Sequence, residues 1–163
     1  MNTKFYSTLI LAILVSVIGC KDDDGTTTPT TSKTKTELIT AGPWVLTGLT
    51  INPGVDTGGG NLLTDFYAVG DVCDNDDEAI FKADNTGSYN EGATKCDPND
   101  DQELGTFIWS FNTEETMLTE DGETLMLSEL TAEKMVLTLT INGDDIDGGE
   151  AGVDYTFTEI YGH

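Results

Sequence analysis

Short segments in which apolar and polar residues alternate constrain the fold of this chain more than any other feature. Phe107, Trp109 and Phe111 occupy every second position of one such segment. Because successive side chains of a β-strand point to opposite faces, this spacing predicts strands with one apolar face. Two further segments repeat the spacing, with Met135, Leu137, Leu139 in one and Val153, Tyr155, Phe157 in the other. We expect the polar residues between these positions to face solvent, namely Thr106, Ser110, Thr138, Thr156 and Thr158.

Turn residues divide the domain into eight predicted strands that follow one another along the chain. Gly48 lies inside the first strand, where it predicts a bend or a bulge, and Pro53-Gly54 predicts the end of that strand. The fold class is therefore all-β. We expect an up-and-down antiparallel barrel, because closure removes the sheet edges, with a β-sandwich as the alternative. The predicted strands are 44–52, 79–83, 88–91, 105–111, 116–120, 123–130, 134–141 and 153–160.

Two other segments of the domain carry weaker signals. Residues 36–41 predict one helical turn, capped by Thr36 and ended by Gly42-Pro43. The run Leu-Leu-Thr-Asp-Phe-Tyr at 62–67 fits either a short helix or a loop that packs apolar side chains over one end of the barrel.

The first twenty residues have the organisation of an export signal. Lys4 precedes an apolar run at 9–18, and Gly19 and Cys20 follow it. That run is about half as long as a bilayer-spanning helix, so it predicts a removable signal peptide over 1–19. Residues 17–20, Val-Ile-Gly-Cys, resemble the lipobox of bacterial lipoproteins. This resemblance implies cleavage before Cys20, a diacylglyceryl group on its sulfur, and attachment of the mature protein to a membrane.

An acidic run follows the predicted lipid site directly. Lys21 and three aspartates, Asp22, Asp23 and Asp24, resemble the export signal that directs some lipoproteins to the outer leaflet of the outer membrane. A hydrated spacer without a sorting role is the alternative. Residues 26–36 contain only Thr, Ser, Pro and Lys and cannot bury apolar surface. We therefore expect a lipidated tether over 20–36 and one barrel domain over 37–163.

The charge of the chain excludes one class of partner. It has 30 Asp and Glu against seven basic residues, none of them Arg, for a net charge of −23. Affinity for nucleic acid depends on Lys and Arg that displace counterions, so nucleic acid is not an expected partner. Solubility at a crowded surface explains so much acid. Cations, basic proteins and neutral ligands stay open as partners.

Cys73 and Cys96 are the cysteines left once Cys20 is assigned to lipid. Outside the cytoplasm such a pair is expected to form a disulfide. A metal pair or a reactive thiol is the alternative, but the single histidine of the chain, His163, leaves a zinc site short of ligands.

Known catalytic motifs do not occur in the sequence. It has no Gly-x-Ser-x-Gly, no phosphate-binding glycine loop and no metal-binding His pair, so we expect neither an enzyme nor a bound cofactor. Three acidic runs, 74–77, 97–101 and 144–147, offer oxygen ligands for calcium. None has the spacing of an EF-hand, and we interpret them as solvated loops.

Several motifs together carry a family resemblance. Gly42-Pro43-Trp44, after a helical turn and before the first strand, resembles the Gly-x-Trp signature of lipocalins. The stretch 38–160 resembles the lipocalin-like domains of bacterial surface lipoproteins. This resemblance implies a cup-shaped barrel that holds one small apolar ligand. The other motifs that carry it are 73–78, 81–87, 91–97 and 105–111.

Two questions about function stay open at this point. The aromatic rows either line a ligand cavity or fill the interior as an ordinary core, since eight strands enclose just enough space for either. The domain is either a ligand-binding protein or an interaction module whose acidic loops contact a glycan or a protein.

Overall fold

The computed structural model describes residues 32–163, which are built almost wholly from β-strands. The predicted signal peptide, Cys20 and most of the predicted tether lie outside the described residues. Nine strands, one short α-helix and three 3-10 turns make up the regular structure of the described part. The strands are β1 (Trp44–Asp56), β2 (Leu62–Asp65), β3 (Glu78–Phe81), β4 (Thr86–Asn90), β5 (Glu103–Phe111), β6 (Met117–Glu120), β7 (Glu123–Leu130), β8 (Lys134–Asn142) and β9 (Asp154–Gly162).

Eight of these strands form a closed antiparallel barrel. From β3 to β9 each strand pairs with the next along the chain. β1 pairs with β3 on one side and with β9 on the other, which closes the barrel. The predicted eight-stranded up-and-down barrel is therefore confirmed against the sandwich, and each predicted strand overlaps a strand of the barrel.

The first strand differs from its prediction in length. Gly48 marks a bulge, as predicted, because the register of β1 against β9 shifts between Leu46 and Gly48. The strand does not end at Asn52, however, but continues through Pro53 to Asp56. Its pairing with β9 stops at Asn52, so Pro53 lies where that edge of the strand needs no backbone donor.

The segment that fitted a helix or a loop is mainly a strand. Leu62–Asp65 forms β2, which pairs with the distal half of β1 through Val55 and Leu63. A 3-10 turn, Tyr67–Val69, follows it. β2 thus extends the sheet beside the barrel and takes no part in the closure.

A short helix, α1 (Lys35–Ile39), precedes the barrel, and its cap differs from the prediction. Thr34, not Thr36, is the N-cap, because its side chain accepts a hydrogen bond from the backbone N–H of Glu37 and the Glu37 carboxylate accepts one from the Thr34 N–H. None of the described residues belongs to a helix with the length and apolarity needed to cross a bilayer.

The helix covers the end of the barrel at which β1 begins, which we call the closed end. The Ile39 side chain is fully buried in the main core, and its carbonyl accepts a hydrogen bond of 2.8 Å from Trp44 Nε1. The Lys35 ammonium donates to the Glu115 carbonyl in the turn between β5 and β6. The last residue, His163, lies here too, with its ring 3.9 Å from that of Trp44.

Side chains fill the barrel near this closed end. The Phe81 ring meets those of Phe107 and Trp109 edge to face, at centroid distances of 5.1 and 5.6 Å. Gly87 faces Phe107 across the β4–β5 pair, and the Phe107 ring occupies the space that any larger side chain would need. The other buried members of this core are Ile39, Trp44, Ala79, Leu118, Leu125, Leu127, Met135 and Leu137.

The predicted inward faces are largely confirmed. Phe107, Trp109, Met135, Leu137 and Tyr155 are buried, while Phe111, Leu139, Val153 and Phe157 are half-buried. Tyr155 belongs to a second, smaller cluster with Ile51 and Val55. The outward residues agree in part: Thr106 and Ser110 are exposed, whereas Thr138, Thr156 and Thr158 are partly covered.

Candidate ligand recess at the open end

The end of the barrel opposite α1, which we call the open end, contains a recess. It is located where β1 and β3 diverge, since these two strands pair only through Trp44 with Ala79 and Val45 with Glu78. The recess has two parts that share the side chains of Tyr89 and Tyr161. The interior of the barrel is thus filled near the closed end and open at the other.

The larger part, the apolar lobe, has a volume of about 380 Å³. Fully buried Trp44 contributes to its inner wall, and Leu104, which is 51% exposed, lies at its edge. Three carboxylates, those of Asp74, Asp77 and Glu78, also line it. The remaining walls of the apolar lobe are formed by Leu46, Ala79, Tyr89 and Tyr161.

The smaller part, the acidic lobe, has a volume of about 210 Å³. Its carboxylates occupy positions that the strand alternation assigns to the interior: Glu120 pairs with Trp109 across β5 and β6, and Glu159 pairs with Leu137 across β8 and β9. The other residues that line the acidic lobe are Tyr89, Asp121, Glu123, Leu125 and Tyr161.

Burial perturbs the acids of the acidic lobe. Desolvation, together with the nearby charges of Glu159, Asp121 and Glu123, raises the pKa of Glu120 to about 7. The Glu120 Oε1 atom is buried and accepts no hydrogen bond within residues 32–163. At neutral pH the acidic lobe therefore holds a carboxyl group poised between its two protonation states.

Glu159 and Tyr161 form the one hydrogen-bonded pair that we find among the described side chains of this lobe. The Tyr161 hydroxyl donates to Glu159 Oε2 over 3.0 Å. Burial raises the pKa of Glu159 even though this hydrogen bond lowers it, and burial also raises the pKa of Tyr161. Tyr161 therefore stays a neutral donor at physiological pH, and Glu159 is held in place beside it.

A disulfide fixes the acidic segment beside the apolar lobe. Cys73 and Cys96 are bonded as predicted, with Cα atoms 5.2 Å apart. The bond joins the 3-10 turn Val72–Asp76 to the loop between β4 and β5. In the same place the Thr94 N–H donates to Asp76 Oδ2 over 2.9 Å. The disulfide thus joins the segments that contain two of the three acidic runs, 74–77 and 97–101.

Glu91 lies beside this segment and is unusual for an acid. It is only 5% exposed. Desolvation raises the pKa of Glu91, and the charges of Asp77, Asp100 and Asp74 raise it further, while Lys95 lowers it. Asp74 and Asp77 line the apolar lobe, so both lobes have a strongly negative neighbourhood.

The acidic runs do not converge into a metal centre within residues 32–163. Three ligand atoms come within 4.8 Å of one another only at Cys73, Asp74 and Cys96, where both sulfurs belong to the disulfide. Several of the acids stabilise turns instead. Asp97 Oδ1, for example, accepts from the Asn99 N–H over 2.8 Å.

Sequence reasoning did not identify Glu120, Glu159 or Tyr161 as site residues. The signal for two of them was present, since Glu159 and Tyr161 continue the every-second-residue series of Tyr155 and Phe157. Acids at inward positions of an apolar series point to a polar interior site. The place where β1 and β3 separate, which creates the recess, has no comparable signal in the sequence.

Fold and site together define a class: a closed antiparallel β-barrel with a small recess at one end that combines aromatic walls with half-buried carboxylates. No protein-family model, curated protein or solved structure matches the chain. The lipocalin resemblance therefore stays a prediction from the sequence.

Proposed function

We propose that this chain is a cell-surface lipoprotein of the lipocalin-like type that binds one small molecule with an apolar body and catalyses no reaction. The observation that carries the proposal is the recess, where Tyr89 and Tyr161 present aromatic surface to open space and fully buried Trp44 lies behind them in the wall. A barrel whose sole purpose was stability would gain from filling that space, because unfilled apolar volume costs packing energy.

The size of the recess supports this function. Small-molecule sites are typically concave, largely apolar and about 300–1,000 Å³ in volume. The apolar lobe alone is about 380 Å³, and the acidic lobe adjoins it through two shared tyrosines. That space suits one compact ligand with a ring or a short chain, and it is too small for a long lipid.

Ligand retention tests the binding proposal. Purified protein is incubated with a cell extract, washed, and analysed by mass spectrometry for retained small molecules. Leu104→Trp, at the edge of the apolar lobe, should reduce retention because the larger ring covers the entrance. Ile108→Trp is the matched control: it lies on the same strand and is 66% exposed, but it does not line the recess. Retention of nothing by any of the three proteins would contradict the proposal.

The lipid anchor is supported by the sequence around Cys20 and has its own test. Cys20→Ala should release the protein from the membrane fraction, because the thioether-linked lipid can no longer form. Replacing Asp22, Asp23 and Asp24 together by Ala should reduce accessibility to protease added outside intact cells. Unchanged accessibility would leave the anchor in place and remove the claim of a surface location.

An interaction module is the second candidate, and one observation favours it. Leu62, Val69 and Val72 are exposed apolar side chains within the acidic excursion between β1 and β3. Exposed apolar groups among polar ones are typical of protein contacts. Under this alternative a protein or a glycan, and no small molecule, would co-purify with the chain.

A further inference from the structure

We propose that the ligand of the recess is a small organic cation, with its ammonium group in the acidic lobe and its apolar body in the apolar lobe. The inference rests on the proposed function, that the recess binds a small molecule, and it names the chemical class of that molecule.

The acidic lobe lacks a donor that a cation would supply. The Glu120 Oε1 atom is buried without a hydrogen-bond partner in the described part of the chain. An unpaired buried acceptor is costly, and a charged N–H donor satisfies a carboxylate about twice as strongly as a neutral donor does. Glu159 Oε2 already accepts from Tyr161, which leaves its second oxygen for the same ammonium group.

The charges around the recess discriminate against the other ligand classes. No Lys or Arg is among the described residues that line either lobe. An anion would meet the carboxylates of Glu120, Glu123 and Glu159 without a compensating charge, and a neutral molecule would leave them unpaired. Glu91, which is 5% exposed and interacts electrostatically with Asp77, adds to the negative potential on the side of the apolar lobe.

The apolar lobe explains why the cation should be organic. Aromatic rings such as those of Tyr89 and Tyr161 attract cations and also bury hydrocarbon. A bare divalent ion would need several oxygens converging at about 2.3–2.6 Å, and no such convergence of carboxylates occurs in residues 32–163. The two lobes together fit an ammonium group joined to an apolar body.

Protons and ligand should compete at the acidic lobe. Glu120, whose neighbours are Glu159, Asp121, Glu123 and the Tyr161 hydroxyl, is about half protonated at pH 7. An ammonium group binds the ionised form, whereas an alkyl ammonium group itself stays charged to about pH 10. The affinity should therefore be roughly tenfold weaker at pH 6 than at pH 8, because the ionised fraction falls by that factor.

Three compounds of nearly equal shape test the ligand class: 2-phenylethylammonium, 2-phenylethanol and 3-phenylpropionate. Each is titrated calorimetrically into the full chain reconstituted in lipid nanodiscs, with protein-free nanodiscs as the blank. We expect the ammonium compound to bind at least about tenfold more tightly than the alcohol, and the carboxylate not to bind. The pH dependence above should appear for the ammonium compound and not for the alcohol.

Variants then locate the ammonium group. In Glu120→Gln/Glu159→Gln the affinity for the ammonium compound should fall to that for the alcohol, while alcohol binding is kept. Glu133→Gln, an exposed acid in the turn between β7 and β8 at the closed end, removes one charge and should change neither affinity. Circular dichroism checks that each variant folds. If the double variant does not fold, the pH dependence of binding to the unmodified chain tests the proposal on its own.

Each other outcome contradicts a stated part of the proposal. Equal affinity for alcohol and ammonium would overturn the cation class and leave the binding function intact. Binding of none of the three compounds would overturn both. Displacement of the ammonium compound by millimolar CaCl₂, at constant ionic strength, would reassign the acidic lobe to a metal ion.

Discussion

Replacement of Glu120 by Gln should stabilise the barrel at pH 8 and have almost no effect at pH 4. Glu120 lies inside the barrel, where desolvation and three neighbouring acids disfavour its charged form. Gln has nearly the same shape and carries no charge at any pH. The substitution therefore removes the charge penalty and keeps the packing.

The size of the effect follows from the pKa of this carboxyl. It has an ordinary value of 4.5 and is raised to about 7 in the folded protein. A tenfold difference in proton affinity corresponds to about 1.4 kcal/mol, so a fully desolvated group with these values would cost about 3 kcal/mol when ionised. Because Glu120 is partly exposed to solvent, we expect about 2 kcal/mol.

The sign and the pH window follow from the same two values. Below about pH 4.5 the carboxyl is protonated in both the folded and the unfolded chain and costs nothing. Between about pH 4.5 and 7 the carboxyl ionises in the unfolded chain but stays protonated in the folded chain, so the free energy of unfolding falls as the pH rises and levels off above about pH 7. The advantage of Glu120→Gln should thus grow from near zero at pH 4 to its full value above pH 7.

Urea unfolding followed by tryptophan fluorescence measures this difference at pH 4, 6 and 8. Glu133→Gln is the matched control, since it removes the same charge from an exposed turn at the closed end and should leave the free energy of unfolding nearly unchanged. A Glu120→Gln protein that is no more stable than the parent at pH 8 would refute the reasoning. So would an equal gain at pH 4 and pH 8.

Three further substitutions test the packing and the disulfide by the same unfolding assay. Cys73→Ser should lower the free energy of unfolding by about 3 kcal/mol, because the bond to Cys96 closes a loop with a sequence separation of 23. If the variant is still less stable than the parent protein whose disulfide has been reduced, lost packing and not the lost bond explains the difference. Leu118→Ala should lower the free energy of unfolding by about 2–5 kcal/mol, since this side chain is fully buried. A decrease of less than about 1 kcal/mol would mean that neighbouring side chains move in to fill the space. Gly87→Ala should destabilise the barrel because its added methyl group meets the ring of Phe107, and an unchanged midpoint would show that the ring can move away.

Much of the fold was accessible from the sequence because it depends on local information. Alternation and turn residues together predict the eight strands of the barrel, and Gly48 predicts the bulge. The continuation of β1 past Pro53, and β2 itself, depend on pairing between distant segments, which no local pattern encodes. Thr34 became the cap in place of Thr36 because Glu37 lies three residues after it and completes the reciprocal pair.

The candidate site was harder to predict, because it depends on contacts between distant segments. The disulfide could be predicted, because Cys73 and Cys96 are the two cysteines that are left once Cys20 is assigned to lipid. Glu120 has a meaning only once strand register turns it towards the interior, and Glu159 becomes its neighbour only through closure of the barrel. Local sequence identifies which residues form strands, whereas their three-dimensional pairing decides which acids meet.

The helix α1 makes the two ends of the barrel different. The helix covers one pole, His163 packs against Trp44 at that same pole, and the recess opens at the other. Both ends of the folded domain therefore leave from the side that faces away from the ligand site. A group attached to His163 is therefore held at the pole opposite the entrance of the recess.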